Sequence, residues 1–88
     1  MTPADTLRHH LTTHYLPHES PTTLRDDTPL ITGGILDSIR TLKLLVWIED
    51  TFGVFLPIAG VDEATERLDT IAGIVREIER AKEEVAQG

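Results

Sequence analysis

Cysteine is absent from this chain of 88 residues. Disulfides and thiolate metal sites are thereby excluded, and nothing in the sequence requires an oxidising compartment. Basic residues are scarce, eight against 15 acidic ones, for a net charge of −7. Nucleic acid and anionic membranes recruit proteins through their phosphate charge, so neither is expected as a partner. Such an acidic surface serves solubility, and it also favours basic patches on protein partners. Long hydrophobic runs are missing too. The longest, Leu44 to Ile48, is far too short to span a bilayer. The opening residues, MTPADTLRHH, contain no apolar signal core. A soluble cytoplasmic protein is the expectation. No strand-like alternation, internal repeat or low-complexity tract is present.

Apolar residues make up 40% of the chain, near the globular norm, which argues against wholesale disorder. A chain of this length has room for one domain, 1–88, with one modest core and three or four packed helices. Thr2-Pro3-Ala4-Asp5 reads as a helix start: Thr2 can cap, Pro3 suits the first helical position, and Asp5 suits the dipole. Leu7, Leu11 and Tyr15 then share one helix face, and Pro17 stops the helix. A loop of about 17–36 follows, rich in Pro, Thr, Asp and Gly, and pinned to the core by Leu24, Leu30 and Ile31. The second helix runs from about Asp37 to Phe52, with Gly53 as its terminator. A short helical piece fits Val61 to Arg67. Asp69 or Thr70 caps a last helix whose apolar face is Ile71, Ile74, Val75, Ile78 and Val85. The architecture is all-α, with three main helices and one short one.

The second helix carries two apolar stripes. At about 100° per residue, Thr41, Leu44, Leu45, Ile48 and Phe52 fall on one side, and Ile39, Leu42 and Val46 on the roughly opposite side. A helix in so small a bundle buries only one stripe well, and the five-residue stripe is the better core. The other stripe is either exposed as an interaction surface or covered by the preceding loop. Periodicity alone leaves both open.

Ser38 sits where that helix begins. Asp37 and Ser38 are both good N-cap residues, so a purely structural role is available. With Asp37 as cap, Ser38 lies on the first turn with its hydroxyl outward. A nucleophilic serine needs a base and an oxyanion hole, and Leu36-Asp37-Ser38-Ile39-Arg40 lacks the Gly-x-Ser-x-Gly pattern of a hydrolase elbow. His10, His14 and His18 repeat at a spacing of four, which can hold a metal on a helix. Pro17 interrupts that helix, however, and no further ligand pattern accompanies the histidines. A solvated helix face is expected for them, and no metal site.

The segment Gly34-Ile35-Leu36-Asp37-Ser38-Ile39, followed by Thr41-Leu42-x-Leu44-Leu45 and Ile48-Glu49-Asp50-x-Phe52-Gly53-Val54, resembles the acyl carrier protein family, including its peptidyl and D-alanyl carriers. The likeness spans essentially the whole chain. It implies a four-helix acyl-carrier-type bundle that is not itself an enzyme, with 4′-phosphopantetheine attached covalently at Ser38 and Asp37 beside it. The stripe Ile39, Leu42 and Val46, flanked by Arg40 and Lys43, is then the surface read by partners. Those implied are a phosphopantetheinyl transferase, an acyl- or aminoacyl-loading enzyme, and a downstream transferase or synthase, with the carrier a monomer. Ile39 replaces the more usual leucine of the family triplet. Arg40 and Lys43 stand where fatty-acid carriers place acids. That departure implies a discrete carrier in a specialised pathway, polyketide, nonribosomal peptide or related. The alternative is a helical interaction module that uses the same stripe and carries no group.

Overall fold

The computed structural model describes residues 2–16 and 24–87, with side chains described as far as residue 84. Four helices follow one another: α1 (Pro3–Tyr15), α2 (Ser38–Phe52), α3 (Val61–Leu68) and α4 (Ile71–Gln87), and the described residues form no strand. No helix among them is long and apolar enough to cross a membrane. Residues 17–23, His18 among them, and the side chain of Val85 lie outside what is described.

Each helix begins as local chemistry dictates. Thr2 caps α1, its hydroxyl accepting from the Asp5 N–H at 3.2 Å, with Pro3 in the first turn where its missing N–H costs nothing. Asp37 caps α2. No side chain caps α3 at Gly60. Instead Glu63 reaches back, its carboxylate accepting from the Ala59 N–H at 3.0 Å. For α4 the choice between Asp69 and Thr70 resolves to Thr70, whose hydroxyl accepts from the Gly73 N–H at 3.0 Å. Helix α2 ends at Gly53, whose φ of 69° is left-handed and whose N–H returns to the Glu49 carbonyl at 2.9 Å.

The core gathers Leu7 and Leu11 from α1, Leu44 and Ile48 from α2, Ala64 and Leu68 from α3, and Ile71, Ile74 and Ile78 from α4. Each large apolar side chain withdrawn there contributes roughly 1.5–3 kcal/mol before entropy is counted. Helix α4 packs against both α1 and α3. Helix α2 meets α1 where Trp47 stacks on His10, ring centroids 3.8 Å apart, and it meets α4 where Lys82 lies over Phe52.

The segment between α1 and α2 is fastened twice. Leu24, Leu30 and Leu36 are buried in the core, while Ile31 is half-buried. Asp69, released from capping, accepts hydrogen bonds from the Ile31 N–H (2.8 Å), the Thr32 N–H (2.9 Å) and the Thr32 hydroxyl (2.8 Å). Burial pushes the Asp69 carboxyl up, but the bonds from Thr32 and Ile31 outweigh it and hold the group below its usual range. Farther back, Arg8 of α1 pairs with Asp26, and the Asp26 carbonyl accepts from the Ala72 N–H at 3.1 Å.

Candidate functional site

The turn that delivers the chain to α2 fixes where Ser38 points. The Gly34 N–H donates to the Ile31 carbonyl at 3.1 Å, and Gly34 itself sits at φ 83°, a conformation open to glycine and strained for other residues. The Leu36 N–H then donates to the Leu30 carbonyl at 2.8 Å, and the Leu36 side chain is buried. With Leu36 anchored inside, Asp37 and Ser38 emerge at the surface, and both are exposed.

Asp37 is committed to the helix. Its carboxylate accepts from the Arg40 N–H at 2.8 Å, and its carbonyl accepts from the N–H and hydroxyl of Thr41 at 2.9 and 2.7 Å. Ser38 is thereby free of the capping task that could otherwise explain it. It occupies the first helical position, where its own N–H and that of Ile39 have no acceptor within the helix. An anion attached to the Ser38 oxygen would meet these donors and the positive end of the helix dipole.

The two stripes of α2 separate as periodicity requires. Thr41, Leu44 and Ile48 are buried, and Leu45 and Phe52 are half-buried against the core. Ile39, Leu42 and Val46 are 66%, 63% and 54% exposed. The described part of the loop, residues 24–36, does not cover them, because its leucines turn inward to the core. Beside Ser38 a groove of about 570 Å³ opens between the loop, α2 and α3. Its apolar walls include Ile31, Leu36, Leu42, Leu45, Ile58 and Ala64, and its polar lining is Asp37, Ser38 and Thr41. Thr41 spends its hydroxyl hydrogen on the Asp37 carbonyl, which leaves the Asp37 carboxylate, next to Ser38, as the one charged group of the lining.

One sequence expectation is corrected here, that for His10. Arg40, though exposed, has contacts of its own. Its guanidinium donates to the Ile35 carbonyl at 3.1 Å and lies 5.4 Å from the centre of the Tyr15 ring, tying the α2 start to the loop and to α1. His10 is not on a solvated face. It is half-buried on Trp47, and its pKa is pushed down to about 4 by that burial, with the neighbouring His14 and His9 adding repulsion. Lys43, by contrast, is exposed beside the stripe as expected. His9 and His14 are exposed as well, and among the described residues no group of three His, Cys, Asp or Glu side chains could hold a metal ion together.

The groove's far wall escaped the sequence reading. The run Val54 to Val61 has no charged residue, which is its signature. It buries Val54 and Leu56, leaves Ile58 half-buried in the groove, and presents Phe55 and Val61 at 69% and 59% exposure. The chain matches no family model, no curated protein and no solved structure.

Proposed function

We propose that this chain is a carrier protein with the four-helix architecture of acyl carriers, and that Ser38 is the point at which 4′-phosphopantetheine is attached. The observation that carries the reading is an exposed serine at the first position of α2, relieved of capping by Asp37, between an apolar groove and an exposed apolar stripe. The group supplies a thiol on a flexible arm, to which an acyl cargo is joined as a thioester. The chain's own residues do the rest. Ser38 offers the hydroxyl oxygen that becomes the ester link to phosphorus. The Ser38 and Ile39 N–H groups and the dipole of α2 favour the phosphodiester charge there. Asp37 holds the helix start rigid, so the link has a fixed origin.

The groove supports an apolar acyl cargo over an aminoacyl one. Its apolar walls favour hydrocarbon, and the one charged side chain in its lining, Asp37, is next to Ser38 and already accepts from the Arg40 N–H, so an ammonium carried further in among those walls would lose its water without a counter-charge. Ile39, Leu42 and Val46 are the surface for the enzymes that load and unload the arm, with Lys43 at its edge. Incubating the purified chain with CoA and a broad-specificity phosphopantetheinyl transferase tests the reading. The expected product is a chain heavier by one phosphopantetheine group. A chain that stays unmodified with such a transferase, under conditions where a control carrier is converted, leaves the interaction module as the better account.

A further inference from the structure

The groove beside Ser38 has two walls from distant parts of the chain. One is the loop, through Ile31 and Leu36, and the other is the α2–α3 link and α3, through Ile58, Val61 and Ala64. Asp69 stands at the C-terminal end of α3 and reaches the loop. Its backbone carbonyl accepts from the Leu30 N–H at 2.6 Å, and one carboxylate oxygen accepts from the Ile31 and Thr32 N–H groups at 2.8 and 2.9 Å. The other carboxylate oxygen accepts from the Thr32 hydroxyl at 2.8 Å. Leu36 hangs on the same arrangement, because its N–H donates to the Leu30 carbonyl at 2.8 Å.

Little else holds this part of the loop in place. Thr32, Gly33 and Gly34 are exposed, so no side chain of that turn is anchored in the core. The buried Leu30 and Leu36 side chains fix the two ends of the turn, but Ile31 is only half-buried. Its backbone is tied to the end of α3 through the Asp69 carboxylate. The bonds from Thr32 and Ile31 hold that carboxyl below its usual range, and hydrogen bonds to an ionised acceptor are the stronger kind.

We propose that Asp69 is a specificity-determining residue of the groove: its carboxylate ties the Ile31 wall to the end of α3 at a fixed spacing, and that spacing selects apolar groups by their cross-section. The groove is the one that the carrier reading gives to the cargo, so the proposal rests on that reading and extends it from the cargo's polarity to its shape. At about 570 Å³ the groove falls within the range of small-ligand pockets, about 300–1,000 Å³. A slender chain lies against both walls as they stand. A wider group has to push Ile31 outward and break the bonds at Asp69. Asp69 does not line the groove, so it acts through Ile31 and not by touching what the groove holds.

Two neutral alcohols serve as probes on the full chain without any attached group: n-octanol, a slender chain, and adamantanol, a compact cage. Binding is followed by the methyl chemical shifts of Leu45 and Ala64, well below the melting temperature, with circular dichroism confirming that each variant is folded. In Asp69→Ala the ratio of octanol affinity to adamantanol affinity should fall about fivefold or more, because the cage gains the space that Ile31 gives up and the chain loses a fixed wall. Asp69→Asn should bring the ratio back to within about twofold of wild type, since its amide oxygen still accepts from both N–H groups and its amide nitrogen can donate to the Thr32 hydroxyl. Thr32→Val, which loses only the hydroxyl bond, should move the ratio in the same direction as Asp69→Ala by about twofold. A purely structural role would lower the melting temperature and leave the ratio alone. The proposal is overturned by a ratio that Asp69→Ala leaves unmoved, by an Asp69→Asn ratio equal to that of Asp69→Ala, or by a wild-type chain that binds neither alcohol. If Asp69→Ala does not fold, an unmoved ratio in Thr32→Val overturns it instead. None of these readouts involves modification of Ser38, so the carrier reading stands or falls separately, on whether Ser38 accepts phosphopantetheine.

Discussion

Asp37 and Ser38 are neighbours with different tasks: the first closes a helix end and the second is left at the surface. Similar divisions recur elsewhere in the chain. Thr70 caps α4, and adjacent Asp69 instead fastens the loop through three hydrogen bonds. Asp69→Ala leaves the part-buried Ile31 N–H unpaired and returns the exposed Thr32 N–H to water, and should cost about 1–2 kcal/mol in urea unfolding. Amide exchange should quicken first at Ile31 and Thr32, ahead of the helices. His10 makes a prediction in pH. Its folded pKa is about 4 against 6.5 for the free side chain. Between those values the unfolded chain binds a proton that the folded chain refuses, so its contribution is fully present above pH 6.5 and is lost as pH falls toward 4. The groups facing His10 are His14, His9, Tyr15 and Trp47. Melting temperature measured across this window should fall less steeply for His10→Phe, which keeps a ring on Trp47 but cannot be protonated. An unchanged slope in that variant would show that the dependence arises elsewhere.

Helix α2 divides into a buried face and an exposed apolar one. Ile48 is fully buried, so Ile48→Ala should destabilise by about 2–5 kcal/mol in denaturant unfolding. Leu42 is 63% exposed, and Leu42→Ala should cost under about 1 kcal/mol while slowing loading at Ser38. Equal destabilisation by the two would contradict the division of faces. At the far end Gly53→Ala forces an L residue into the left-handed cap and should cost about 1–2 kcal/mol. The two faces were legible in the sequence because helical spacing is a local property: Leu44 and Ile48 are related by one turn whatever packs on them. The caps at Thr2 and Asp37 and the stop at Gly53 were legible for the same reason. The packing partners were not. Stacking of His10 on Trp47 depends on how α1 lies against α2, and the contact of Arg40 with Tyr15 depends on where the loop returns. Asp69 and Thr32 are 37 positions apart, and both Asp69 and Thr70 were acceptable caps, so only tertiary packing could assign them. For the candidate site, Ser38 at the helix start and the residues that share the stripe could be read from sequence, but not whether the stripe lies exposed. The groove could not, because its walls come from three separate segments.

The bundle places an exposed serine hydroxyl, an apolar groove and an exposed apolar stripe within the first turns of a single helix, on a chain with net charge −7. A net charge of −7 favours solubility and long-range attraction to cationic surfaces. Leu24, Leu30 and Leu36 hold the loop in the core, so the surface left beside Ser38 is the groove and the stripe. On the proposed reading, groove and stripe serve a group borne by Ser38 to which cargo is attached. Peptide mapping by tandem mass spectrometry, after reaction with CoA and a phosphopantetheinyl transferase, tests that point most directly. Wild type should gain one phosphopantetheine per chain, located on Ser38, and Ser38→Ala should gain none while keeping its helical circular dichroism, since Asp37 still caps α2. A group found on another residue, or added equally to Ser38→Ala, would contradict the account.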